Sequence, residues 1–60
     1  MKEALIELKV GYVNKLKAYI DAARVLEPVN EELMMECLKK AAGCKLMIEE
    51  YDRMINQHSD

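Results

Sequence analysis

Apolar positions recur along the first half of the chain at steps of three and four, through Leu5, Leu8, Tyr12, Leu16, Tyr19, Ala23 and Leu26. That spacing predicts an α-helix over about 2–26 with one apolar stripe. No proline interrupts it until Pro28, which disfavours the helical conformation at Glu27. Arg24, in the last turn, suits the negative end of the helix dipole. After a turn over about 27–30 the pattern resumes, through Leu33, Cys37, Ala41, Cys44, Ile48, Tyr51 and Ile55, and predicts a second helix over about 31–57 that fades between Asn56 and Ser59. Its start is signalled three times over. Asn30 is a good N-cap, Glu31 and Glu32 place negative charge in the first turn, and Val29 and Met34 occupy the positions of a hydrophobic staple.

Two helices of similar length joined by so short a turn must lie antiparallel. Folding the chain about Pro28 brings together residues whose numbers sum to 56: Leu5 with Tyr51, Leu8 with Ile48, Tyr12 with Cys44, Tyr19 with Cys37, and Ala23 with Leu33. Apolar meets apolar at each level. The expected fold is therefore all-α, one domain over 1–60, an antiparallel two-helix hairpin. At 60 residues a single hairpin core is marginal. Assembly as a homodimeric four-helix bundle is the expected remedy.

Composition narrows the class. Apolar residues are 52% of the chain and charged residues 33%, too apolar for a disordered tail and too charged for a membrane segment. The opening "MKEALIELKV" has two glutamates where a signal peptide would have an apolar core, so a cytoplasmic location without a membrane partner is expected. The net charge of −2 is unevenly divided: residues 1–26 carry five basic and three acidic groups, residues 27–60 four and eight. Complementary halves favour packing against each other and disfavour an acidic partner.

The stretch "CLKKAAGC" holds both cysteines, seven residues apart. On a helix they stand about 10 Å apart along the axis, beyond disulfide reach. One zinc ion could not take both as neighbouring ligands, and the single histidine, His58, lies at the far end of the second helix. Both thiols are expected to pack in the core, facing tyrosines, and no metal or cofactor is expected. A di-metal carboxylate site would need an inward Glu-x-x-His motif, which is absent. There is no phosphate-binding loop and no nucleophile elbow, and Ser59 and His58 are not placed as a catalytic pair, so no catalytic residue is assigned and the chain is not expected to be an enzyme. The pairs Glu36 with Lys40 and Glu49 with Arg53 read as ordinary surface pairs.

Two surfaces remain as candidates. Lys2, Lys9, Lys17 and Arg24 form a basic stripe that could touch phosphates. In architecture, though by no shared motif, the hairpin resembles the small dimeric RNA-binding proteins of the Rop kind. Without interleaved aromatics, and with an acidic second helix, nucleic acid is disfavoured. The other surface is on the second helix, where Met35, Leu38, Ala42 and Leu46 make an apolar line away from the hairpin stripe. That line is the expected interface for a homodimer or a separate protein partner, and the function it implies is a small non-enzymatic interaction or regulatory module.

Overall fold

The structure, a computed structural model, describes residues 2–58. It is a hairpin of two helices, α1 (Lys2–Leu26) and α2 (Glu31–Gln57). The expected boundaries hold at both ends of the turn. Glu27, Val29 and Asn30 donate their N–H groups to Ala23 O and to Leu26 O, at 2.9, 2.9 and 2.7 Å, which satisfies carbonyls that α1 would otherwise leave open. Asn30 is extended (φ −152°, ψ 99°), and its side chain accepts from Leu33 N at 3.1 Å, so α2 starts on the predicted cap. The staple does not form. Val29 is 78% exposed, too open to be packed against Met34. At the other end His58 donates to Ile55 O at 3.1 Å and closes α2, while Ser59, the limit of the predicted fading, lies outside the described residues.

The helices pack along their length, but the seam differs from the expected one in two places. Leu8 is 51% exposed, and half-buried Lys9 takes its level. The Lys9 ammonium sits 2.6 Å from the Asp52 carboxylate of α2. A lysine can take that position by laying its methylene stem along apolar surface and pairing its head at the edge. Likewise Leu33 is exposed, and Met34 is the half-buried residue of the first turn of α2.

Two further contacts link the helices through long side chains. The Tyr12 ring meets the Tyr51 ring at 5.8 Å between centroids, and Lys40 lies over Tyr19 at 5.9 Å. The sums are 63 for the tyrosines, 59 for Tyr19 with Lys40 and 61 for Lys9 with Asp52, against the expected 56. The Cα–Cβ bonds of a helix lean towards its own N-terminus. In an antiparallel pair two long side chains therefore lean towards each other's level and meet at higher sums than the backbones do.

The core is thin. Among the described residues Ala23, Ala41 and Cys44 are buried, and no large side chain is fully so. The chain measures 48 × 14 × 10 Å with a Cα radius of gyration of 14.0 Å, where a compact domain of this length would have about 10 Å. It is one layer of two rods.

Candidate association surface

A two-rod layer leaves every helix face except the seam open. The question is where apolar groups gather there. One concavity is a groove of about 390 Å³ near the turn, lined by residues of both helices: Ile20, Ala23, Arg24 and Glu27 with Met34 and Leu38. Its floor is apolar and shared by both helices, and its rim carries one cation and one anion. Leu38, 42% exposed, stands at its edge.

This groove decides how the predicted line on α2 is disposed. Met35, Leu38, Ala42 and Leu46 are all exposed, Leu46 most of all. They do not share one depression. Met35 lines a separate, more polar hollow made wholly by α2, with Glu31, Glu32, Glu36 and Lys39. Leu38 is the member that lines a groove together with residues of α1, Ile20 among them. Sequence reasoning assigned α1 a single stripe and so passed over Ile20. Its signal was available: Ile6, Val13 and Ile20 stand seven apart, which is close to two helical turns. They form a second column on the side of α1 that carries Ile20 to the groove.

The basic stripe is not one free row. Lys2, Lys17 and Arg24 are exposed, but Lys9 is half-buried and paired with Asp52, and Arg24 lines the groove with Glu27. Other charges are also engaged differently from expectation. Arg53 pairs with Glu50 one turn back, where Glu49 was expected; the Glu50 carboxylate raises the Arg53 pKa above its ordinary value by hydrogen bond and charge, with Glu49 adding a weaker pull. Lys40 sits over Tyr19 and Lys15 over Tyr12, at 5.9 and 5.1 Å, so each is drawn to a ring face.

The cysteines are free thiols, Cys44 buried and Cys37 half-buried. Among the described residues no group of three or more His, Cys, Asp or Glu side chains could hold a metal ion. No helix among them is long and apolar enough to cross a membrane. No family model, curated protein or solved structure matches the chain.

Proposed function

We propose that this chain is a small self-associating interaction module, a hairpin that pairs with a second copy as a four-helix bundle and acts through that assembly and its protein contacts, without catalysis. The observation that carries the reading is one of area. The chain exposes 4718 Å², where a folded monomer of 6.9 kDa is expected to expose about 4,000 Å². The surplus, about 700 Å², approaches the roughly 800 Å² that each partner buries in a standard interface. Exposed Ile6, Leu8, Val10, Met35, Leu38 and Leu46 supply apolar groups to fill it.

Leu38 is the residue on which the test turns, because it is the member of the apolar line of α2 that lines the groove shared with α1. Leu38→Glu would bury two unpaired carboxylates in a symmetric dimer, one from each copy. Sedimentation equilibrium should find wild-type dimers at tens of micromolar and monomers for the variant, with a lower melting temperature. A wild-type chain that stays monomeric, or a variant that stays dimeric with unchanged stability, overturns the reading and turns attention to a different protein as partner.

A further inference from the structure

We infer that the second copy packs antiparallel along α1, with the two-fold axis passing beside Val13. This rests on the self-association proposed above and assigns it a face and an orientation. The groove fixes the face. Ile20, Arg24 and Glu27 line it, so the residues seven and fourteen before Ile20, namely Val13 and Ile6, lie on that side of α1, and so do the residues at multiples of seven before Arg24: Lys17, Val10 and Glu3.

Read in order, Glu3, Ile6, Val10, Val13, Lys17, Ile20 and Arg24 are self-complementary on reversal about Val13. Val13 meets itself, Ile6 meets Ile20 of the second copy, Val10 meets the stem of Lys17, and Glu3 meets Arg24. Each pair of numbers adds to 26 or 27. A two-fold axis requires such a pattern, in which every contact occurs twice. The ends of the seam carry opposite charges, and between them Ile6, Val10, Val13 and Ile20 are β-branched and apolar, with Lys17 the one charged residue among them.

The same axis serves the rest of the face. Ile6, exposed in the single chain, would enter the groove of the second copy between Ile20 and Leu38. Lys9 would otherwise face Lys17 of the second copy, but its charge is already answered by Asp52 of its own chain. Because the chain folds back between Leu26 and Glu31, an axis at Val13 crosses α2 at the level of Cys44, and Ala42 falls opposite Leu46 of the second copy. One axis therefore covers apolar residues on both helices. The two turns lie at opposite ends of the bundle.

The test is a charge exchange read by sedimentation equilibrium at low salt, with a cross-linking control. Glu3→Arg or Arg24→Glu alone should weaken dimerisation about fivefold to tenfold, since each acts twice, and the double variant should return it to within about twofold of wild type. In a chain with Cys37→Ala and Cys44→Ala, Val13→Cys should be joined between copies by a short bis-maleimide far more readily than Val25→Cys, whose position is 71% exposed and away from the groove. If the wild type is dimeric but the double variant shows no recovery and Val13→Cys is joined no better than Val25→Cys, this arrangement is wrong while self-association stands. If the wild type is monomeric, both fall.

Discussion

Cys44 is buried and Cys37 half-buried, and the difference has chemical consequences. Cys44 is 6% exposed beside Ala41 in the thin core, whereas Cys37 is partly open. A thiol reagent should modify Cys37 first, and Cys44 at a rate limited by opening of the hairpin; mass spectrometry of peptides over a labelling time course measures both. Cys44→Ser buries a hydroxyl without an assigned partner and should cost about 1–3 kcal/mol, more than Cys37→Ser, by denaturant titration. The glycines offer the opposite change. A Cβ at Gly11 or Gly43 would meet nothing within 4 Å, and neither residue has a positive φ. Gly11→Ala and Gly43→Ala should each stabilise by about 1 kcal/mol, because alanine loses less backbone entropy in a helix. In a domain this small that should raise the melting temperature by about 4–8 °C, as thermal circular dichroism would record.

At the level of the elements, the turn is held by few groups. Pro28 lies within the turn and Asn30 caps α2, while the Val29–Met34 staple that would reinforce the entry angle is open. Asn30→Ala should therefore lose about 1 kcal/mol, with no staple to compensate. Amide exchange should localise the loss to Leu33 and its neighbours in the first turn of α2. The seam itself rests on mixed chemistry: an aromatic pair at Tyr12 and Tyr51, and an ion pair at Lys9 and Asp52 whose side chains are 34% and 46% exposed. So exposed an ion pair contributes under about 1 kcal/mol. Lys9 matters more through the stem that covers the seam where a leucine was expected.

For the whole molecule, shape sets the energetics. Two rods in one layer leave no place where a large side chain is enclosed on all sides, so the stability of the isolated hairpin should be small and linked to assembly. The melting temperature should rise with protein concentration over the micromolar to millimolar range, and Leu38→Glu should abolish that rise. A concentration-independent transition for the wild type, followed by circular dichroism, would count against the proposed self-association.

The sequence by itself determined the elements, because helix signals are local. Periodic apolar positions, Pro28 and the Asn30 cap act within a few residues of the backbone they organise, and both helix boundaries fall where those signals stand. It also determined the antiparallel pairing, since so short a turn permits no other. Three things were decided only in the folded hairpin. That Lys9 and not Leu8 lies half-buried at the seam, beside Asp52 forty-three positions further on, is visible only with both helices in place. Which rings meet depends on the lean of two side chains towards each other from opposite directions. That Ile20 and Leu38 border one groove depends on how the helices are rotated about their own axes, a quantity that periodicity constrains only to within a stripe, because neighbouring columns on a helix differ by a small angle and burial selects among them only when the second helix is in place.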